Sequence, residues 1–211
     1  MSKHGLAMVV GILVFAITGC GSGDTNQETT ADTAEAAPPD PTPTVVMETN
    51  MGRIVMELDR ETAPRTVDNF ERHVRIGFYD GLTFHRVRAG WMIQGGAYTP
   101  EFAQRRSSAP PVRNESDNGV KNTRGTVAMA RKLDPHSATT QFFINLIDSP
   151  GLDYNEAKDI PWGYAVFGRV TEGMDIADAI SKVTVRRRGE HEAVPVEPVT
   201  INRMFIQETE N

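Results

Sequence analysis

The sequence "FHRVRAGWMIQGG", residues 84–96, places one arginine and one glutamine in an apolar, aromatic run that ends in glycines. Arg86 and Gln94 are eight residues apart, on what the pattern predicts to be two short strands, with no acid or nucleophile beside them. A core strand does not favour arginine, and a solvated loop does not favour Phe84 or Trp91. The stretch therefore predicts the floor of a pocket, which would bind through apolar contact and through hydrogen bonds from a cation.

Mostly strands are predicted around this stretch. Across residues 53–58 every second side chain belongs to one apolar face, which is the period of a half-buried strand. The predicted strands are 45–48, 53–58, 83–87, 92–94, 126–130, 141–146, 165–170 and 199–206, and the predicted helices are 64–77 and 174–182. This set predicts a mostly β fold, a closed eight-stranded antiparallel β-barrel capped by two α-helices. Residues 97–123, rich in Arg, Ser, Pro and Asn, are expected to form a long loop over one face of the barrel.

The composition suits one globular domain with an appendage: 211 residues, 24% charged and 39% hydrophobic. The 22 Lys+Arg against 28 Asp+Glu leave a formal charge of −6. We expect no nucleic-acid partner, because nucleic-acid binders present a basic face. The one basic run, residues 186–188, is predicted to be a solvated loop beside Gly189. We expect a monomer.

Residues 5–17 carry no charge, which fits a signal-peptide hydrophobic region and is too short to span a bilayer comfortably. Small residues follow, and then Cys20, the single cysteine, so no intramolecular disulfide is possible. The junction Ile17-Thr18-Gly19-Cys20 resembles the bacterial lipoprotein signal, in which the peptide is removed before the cysteine and the cysteine is lipidated. An ordinary secretory signal with an incidental cysteine is the alternative.

The lipoprotein interpretation divides the chain into a signal peptide (1–19), a tether (20–44) and a folded domain (45–211). The segment after Cys20 holds no large apolar residue, so it cannot bury enough surface to offset its ordering entropy. The protein is then expected in the bacterial cell envelope, attached to the membrane through lipidated Cys20. In a Gram-negative cell the anchor would lie on the periplasmic side of the outer membrane, since Gly21 rather than Asp follows the cysteine.

No other chemistry has a motif in this sequence. His85 is predicted to be a structural hydrogen-bonding residue, His136 a loop residue and His73 a residue of a polar helix face. These histidines do not have the spacing of metal ligands, so we expect neither a metal nor a cofactor. Ser137 and Ser149 lack a nucleophile-elbow context, which argues against a hydrolase.

Four segments together resemble the cyclophilin family of peptidyl-prolyl cis–trans isomerases. They are "GRIVMELDRETAPRTVDNF" (52–70), "FHRVRAGWMIQGG" (84–96), "GTVAMARKLDPHSATTQFFIN" (125–145) and "GYAVFGRVTEGMDI" (163–176). The family's Phe-His-Arg, Gln-Gly-Gly and Gln-Phe-Phe elements occur in order and at family-like spacing. The resemblance covers roughly residues 45 to 207 and is closest to bacterial members.

The resemblance implies catalysed rotation about Xaa-Pro bonds, which breaks no covalent bond and needs no nucleophile, base or metal. Arg86 is implied as the electrostatic catalyst, a donor to the prolyl nitrogen of the twisted amide, and Gln94 as the group that holds the substrate carbonyl or backbone. The alternative for Arg86 is a structural ion pair only. The implied substrate-binding residues are Trp91, Met92, Ala130, Arg131, Gln141, Phe143, Leu152 and Tyr164.

Departures from the family pattern affect this assignment. Arg131 replaces an Asn, although a contact made by the backbone of Ala130 and Arg131 would survive, and Tyr164 replaces a His found in many eukaryotic members. Gly151 replaces the tryptophan that helps eukaryotic members bind cyclosporin, so we expect weak cyclosporin binding. Whether the ring of Trp162 reaches that space stays open.

Two functions are consistent with these residues. One is an envelope-anchored prolyl isomerase acting on extended Xaa-Pro segments of unfolded or exported proteins. The other is a non-catalytic, lipid-tethered module that binds proline-containing peptides as a chaperone. Arg86 favours the enzyme, since a pure binder needs no donor that is specific to the twisted amide.

Overall fold

A computed structural model describes residues 40–159 and 161–208. The predicted signal peptide, Cys20 and most of the predicted tether lie outside the described residues. No helix in the described part of the chain is long and apolar enough to cross a membrane.

The elements follow the chain in an order dominated by strands. They are β1 (Thr44–Thr49), β2 (Gly52–Leu58), α1 (Pro64–Arg75), β3 (Arg86–Arg88), β4 (Met92–Gly95), β5 (Thr126–Met129), β6 (Phe142–Asn145), a 3₁₀ turn (Pro150–Leu152), β7 (Val166–Glu172), α2 (Met174–Ser181), β8 (Val185–Arg188), β9 (His191–Pro195) and β10 (Ile201–Gln207). The predicted mostly β fold with two helices is confirmed.

Eight strands form one antiparallel sheet in the order β10-β1-β2-β7-β5-β6-β4-β3, curled into a half-barrel. The closed barrel predicted from the sequence is not present as a strand ladder, because β10 and β3 are the two edges of this sheet. The chain just before β3 nevertheless bonds to the start of β10. Gly81 N–H donates to the Ile201 carbonyl at 2.7 Å, and Phe84 N–H donates to the Val199 carbonyl at 2.9 Å.

The sheet buries both of its faces near β6. One face carries the registered row of Val87, Ile93, Ile144 and Val127, all of which belong to the main core. Helix α1 covers this core with Phe70, whose ring lies 5.0 Å from the Phe167 ring and meets three aromatic neighbours. A second, smaller cluster lies on the opposite face and contains Met92, Ala128, Phe143 and Val166. A strand buried on both faces reads as a continuous apolar run, which explains the sequence Phe-Phe-Ile of β6.

The loop over residues 97–123 is attached to the domain by asparagine side chains. Asn114 Nδ2 donates to the Gly163 carbonyl at 3.0 Å, and Asn118 Nδ2 donates to the Val166 carbonyl at 3.0 Å. Asn122 Nδ2 donates to the Tyr164 carbonyl at 3.2 Å. Buried backbone carbonyls need hydrogen-bond donors, and where no neighbouring strand supplies them, these side-chain amides do. The predicted long loop is confirmed.

Residues 40–44, which the sequence assigned to the tether, contact the folded domain. Arg60 Nε donates to the Asp40 carbonyl at 2.8 Å, and Arg60 N–H donates to the Pro41 carbonyl at 3.0 Å. Leu58 N–H donates to the Pro43 carbonyl at 2.9 Å.

Two local expectations were wrong. His73 is buried rather than on a polar face, with Nδ1 2.7 Å from the Asn69 carbonyl and Nε2 2.7 Å from Ser107 Oγ. Residues 186–188 belong to the β8–β9 hairpin rather than to a loop. That hairpin has no apolar period to reveal it, because β8 is exposed. The Arg188 guanidinium lies 4.6 Å from the centre of the Phe102 ring.

His85 gives the fold a pH dependence. Its side chain is 4% exposed, and burial, helped by the nearby His191, lowers its pKa from 6.5 to about 4. The unfolded chain therefore binds one more proton than the folded chain between these two values. The contribution of neutral His85 to the free energy of unfolding is fully present above pH 6.5 and is lost as the pH falls towards 4.

We expect His85→Phe, which keeps a ring beside Tyr98 but cannot titrate, to remove part of this dependence. The difference in unfolding free energy between the variant and the wild type should change by about 3 kcal/mol between pH 7 and pH 4. Urea denaturation followed by circular dichroism at several pH values measures it. Parallel pH curves for the two proteins would contradict the burial of a neutral His85.

Candidate active site

Strand register places the predicted catalytic residues side by side. Arg86 on β3 is the Cα partner of Gln94 on β4, and Gln94 is in turn the partner of Phe143 on β6. Phe143 is the partner of Ala128 on β5. Directly paired residues point to the same face of a sheet, so these four share the face opposite the main core.

Arg86 is half-buried and is turned towards neutral groups. Its Nη1 donates to Gln94 Oε1 at 3.2 Å, and its guanidinium lies 5.5 Å from the centre of the Trp91 ring. Burial, and then the positive charge of Arg88, lower the pKa of Arg86 from its ordinary value. Among the described residues no carboxylate forms an ion pair with Arg86. The structural ion pair considered for this residue is therefore absent from the described part of the chain.

Gln94 links Arg86 to a second glutamine. Its Oε1 accepts from Arg86, and its Nε2 donates to Gln141 Oε1 at 2.9 Å. Because the amide is held at both ends, its orientation is set by the network. Gln94 thus positions the arginine as well as facing the cavity, a role that sequence reasoning did not assign.

A cavity of about 280 Å³ opens on this face, and we call it the proline cavity after the ring that the family resemblance leads us to expect there. It is lined by Arg86, Trp91, Met92, Gln94, Ala130, Arg131, Phe143, Leu152 and Tyr164. The structure thus brings together nine of the ten residues that the sequence proposed for catalysis and substrate binding. The tenth, Gln141, does not line this cavity and lies behind Gln94.

A second cavity of about 340 Å³ adjoins the first across Arg86 and Gln94. Gln141 lines it, together with His85, Arg88, Tyr98, Glu190, His191 and Glu192. Arg88 donates to Glu192 at 2.8 Å, so this cavity contains an arginine with a carboxylate partner beside Arg86, which has none in the described ranges. The β8–β9 hairpin supplies the acidic side of this cavity, and no motif in the sequence indicated it.

Aromatic contacts hold the apolar walls of the proline cavity. The Phe143 and Tyr164 rings meet edge to face with their centres 5.5 Å apart. The indole N–H of Trp91 donates to Ser149 Oγ at 3.2 Å, which fixes the plane of its ring. Val120 also packs against this cluster, although its place inside the 97–123 loop carries no pattern that would have identified it.

Arg131 connects two loops at the rim of the cavity. Its Nε donates to the Gly163 carbonyl at 3.0 Å, its Nη2 to the Trp162 carbonyl at 2.7 Å, and its Nη1 to the Lys132 carbonyl at 2.9 Å. The guanidinium also lies 4.9 Å from the centre of the Tyr164 ring. Gly163 allows its own backbone to lie against residues 152–154, because a Cβ there would stand 2.3 Å from the Leu152 carbonyl oxygen.

Gly151 and Trp162 lie in different surroundings. A Cβ at Gly151 would meet no atom within 4 Å, so the space beside the 3₁₀ turn is open. The Trp162 ring instead packs against His136 and Tyr154, at centre distances of 5.0 and 5.6 Å. Trp162 is not among the described residues that line the proline cavity.

The arrangement supports binding and electrostatic stabilisation rather than bond cleavage. The lining residues offer two guanidiniums, one amide and apolar or aromatic walls. In the described ranges no group of three or more His, Cys, Asp or Glu side chains could hold a metal ion.

This chain is similar to known proteins of one family. The family described as "Cyclophilin type peptidyl-prolyl cis-trans isomerase/CLD" matches residues 44–206. Peptidyl-prolyl cis-trans isomerase cyp18 of Streptomyces antibioticus is 53% identical over 163 residues, which cover 77% of this chain and 98% of that protein. Peptidyl-prolyl cis-trans isomerase B of Escherichia coli (strain K12) is 46% identical over 164 residues, which cover 78% of this chain and 99% of that protein.

A solved structure shares the fold at low sequence identity. It is a cyclophilin type peptidyl-prolyl cis-trans isomerase of Cryptosporidium parvum in the presence of the dipeptide Ala-Pro, with a TM-score of 0.64 and 22% identity. The match covers 79% of this chain and 99% of that chain. With the family match over residues 44–206 and bacterial relatives near half identity, this chain belongs to the cyclophilin-type peptidyl-prolyl cis-trans isomerase family.

Proposed function

We propose that this isomerase accelerates rotation about Xaa-Pro bonds by electrostatic stabilisation of the twisted amide from Arg86. The observation that carries the proposal is that Arg86, which has no carboxylate partner among the described residues, is held by a glutamine at the edge of an apolar cavity. Partial double-bond character sets the rotation barrier at about 18–20 kcal/mol. Lowering it requires only that the twisted state is bound more tightly than the planar state.

Arg86 suits this requirement because of what the prolyl nitrogen becomes. As the C–N bond twists, conjugation is lost, the nitrogen becomes pyramidal and a lone pair is freed. A fixed N–H donor beside it gains a hydrogen bond that the planar amide does not offer. The guanidinium is planar and permanently charged, and its bond to Gln94 orients it before the substrate arrives.

The apolar walls supply the other half of the mechanism. Met92, Phe143 and Leu152 hold the pyrrolidine ring while the rest of the peptide turns, and Trp91 closes one side. Phe143 is 3% exposed and is packed against Tyr164, so the wall is rigid. Gln94 is proposed to hold the substrate carbonyl or backbone as well as Arg86.

A closed barrel is proposed as the working form of the sheet. The backbone bonds from residues 81–84 to residues 199–201 support it, since they join the chain before β3 to the start of β10. Such a connection would keep Arg86 from moving with a free sheet edge.

The leading segment is proposed to anchor the enzyme. We infer a signal peptide (1–19), a lipid on Cys20 and a tether that ends where Asp40 meets the domain. The substrates would then be unfolded or maturing exported proteins at the cell envelope, on the periplasmic side of the outer membrane in a Gram-negative cell. A multiply acylated cysteine anchors stably, whereas a lone acyl chain does not.

A non-catalytic binding module is the second candidate, and a protease-coupled assay with an Xaa-Pro peptide separates the two. The 40–211 fragment suits this assay, because it contains every bond made by Asp40 to Pro43, and because the same domain makes up 98% of the Streptomyces antibioticus relative. Acceleration supports the enzyme. Peptide binding without acceleration would leave only the binding module.

Replacing Arg86 with Ala should lower kcat/KM on the order of a hundred- to a thousandfold. Loss of one preorganised donor to the transition state typically costs about 2.7–4 kcal/mol. Peptide affinity should fall much less, because the planar ground state uses the donor weakly. The protease-coupled assay gives the rate, and a peptide titration followed by NMR gives the affinity.

Two variants serve as controls for that experiment. Phe143→Ala opens the wall that grips the ring, so it should weaken affinity and rate together. Arg86→Lys should restore little activity, since an ammonium lacks the fixed fork of donors. If folded Arg86→Ala, checked by circular dichroism and thermal melting, turns over close to the wild-type rate, the mechanism is wrong.

Cyclosporin should bind roughly one to three orders of magnitude more weakly than to relatives that carry Trp in place of Gly151. The space beside Gly151 is open, and the Trp162 ring packs against His136 and Tyr154. Gly151→Trp should recover part of the affinity, measured as inhibition of the isomerase. Tight inhibition of the unmodified protein would show that another ring fills this space.

Replacing Cys20 with Ser should stop lipidation and release or mislocalise the protein, while the isolated domain keeps its activity. Metabolic labelling with a fatty acid and membrane fractionation measure the two effects. Intact signal-peptide residues on the mature wild-type protein, seen by mass spectrometry, would refute the anchor.

A further inference from the structure

The proline cavity carries two positive charges and no negative one. Of the nine residues that line it, Arg86 and Arg131 are cationic and none is acidic. Five of the described arginines form ion pairs with carboxylates: Arg60, Arg75, Arg88, Arg124 and Arg169. Within residues 40–159 and 161–208, neither cavity arginine has one. This local charge contrasts with the chain's formal charge of −6.

Arg131 is fixed in place without being neutralised. Each of its three nitrogens donates one hydrogen bond to a backbone carbonyl, and the ring of Tyr164 lies against the guanidinium. A guanidinium has five N–H groups, so one remains on each terminal nitrogen. The one on Nη1 has a long contact of 3.5 Å to the Leu133 carbonyl. Carbonyl partners leave the full charge, and a fixed fork loses little entropy when a carboxylate binds.

Two acidic residues close in sequence to the lining residues bind backbone N–H groups. Asp153 Oδ1 accepts from the Asn122 backbone N–H at 2.7 Å, and Asp134 Oδ1 accepts from the His136 backbone N–H at 2.8 Å. Glu192 pairs with Arg88 in the neighbouring cavity, on the far side of Arg86. None of these three side chains forms an ion pair with Arg131, and no described residue that lines the proline cavity is acidic.

We propose that Arg131 is a specificity-determining residue that selects substrates with Asp or Glu next to the proline. The inference rests on the proposed function, because it requires that the prolyl ring occupies the proline cavity. The side chain of a residue adjacent to that proline would then lie at the rim, where Arg131 has no carboxylate partner in the described part of the chain. A peptide with Lys or Arg at that position meets two like charges instead.

The test compares matched peptides on the full chain in detergent micelles. Peptides carry Glu, Gln or Lys at the position before the proline, or at the position after it, and isomerisation is followed by NMR exchange. At one of the two positions kcat/KM should be roughly three- to tenfold higher for Glu than for Gln, with Lys below Gln. The Glu preference should shrink as salt is added, because the rim is open to solvent.

Three variants separate the charge of Arg131 from its structural bonds. Arg131→Gln should bring the Glu-to-Gln ratio close to one, whatever it does to the overall rate. Arg131→Lys keeps the charge and loses the planar bonds, so the ratio should stay above one while the rate falls. Arg203→Gln is the matched control, since it removes one positive charge from the surface strand β10 and should leave the ratio unchanged.

The outcomes distinguish this inference from the proposed function. A protein that isomerises none of the peptides contradicts the proposed function. A protein that isomerises all of them with equal kcat/KM for Glu and Gln at both positions overturns the role of Arg131 alone. A Glu preference that survives in Arg131→Gln, or disappears equally in Arg203→Gln, also overturns it.

Discussion

The register of three short strands is the constraint on which the rest of the site depends. β3, β4 and β6 are three or four residues each, yet their pairing puts Arg86 beside Gln94 and Gln94 beside Phe143. A shift of one residue in any of these strands would send its site residue to the opposite face. The main core prevents this shift, because Val87, Ile93 and Ile144 occupy the alternate positions. Core packing and site geometry are therefore set by the same register.

Neutral partners keep the charge of the cavity available. Burial of a cation is unfavourable, and burial lowers the pKa of Arg86. A carboxylate would relieve that cost, but it would also compete with a substrate for the guanidinium. Gln94 relieves part of it with a dipole and is itself held by Gln141. Arg131 follows the same rule with backbone carbonyls as partners.

Loops rather than strands form the rim of the cavity, and side-chain amides hold them. Asn114 and Asn122 replace a strand ladder by binding carbonyls of the 152–164 region. Gly163 permits the close approach of its own chain to Leu152. The rim is therefore ordered by contacts between segments far apart in the sequence.

By itself, the sequence determined eight of the ten strands, the two helices and, through the family resemblance, the nine residues that line the cavity. Alternating apolar residues and family-like motifs are local signals, so they can be recognised along the chain without knowledge of the fold. Tertiary structure alone decided that Gln141 lies behind Gln94, that His73 is buried and that Val120 packs against the smaller apolar cluster. It also decided that residues 186–188 form a strand and that the Trp162 ring packs away from Gly151. These features depend on contacts between distant segments, or on exposed strands without an apolar period, and neither leaves a pattern along the chain.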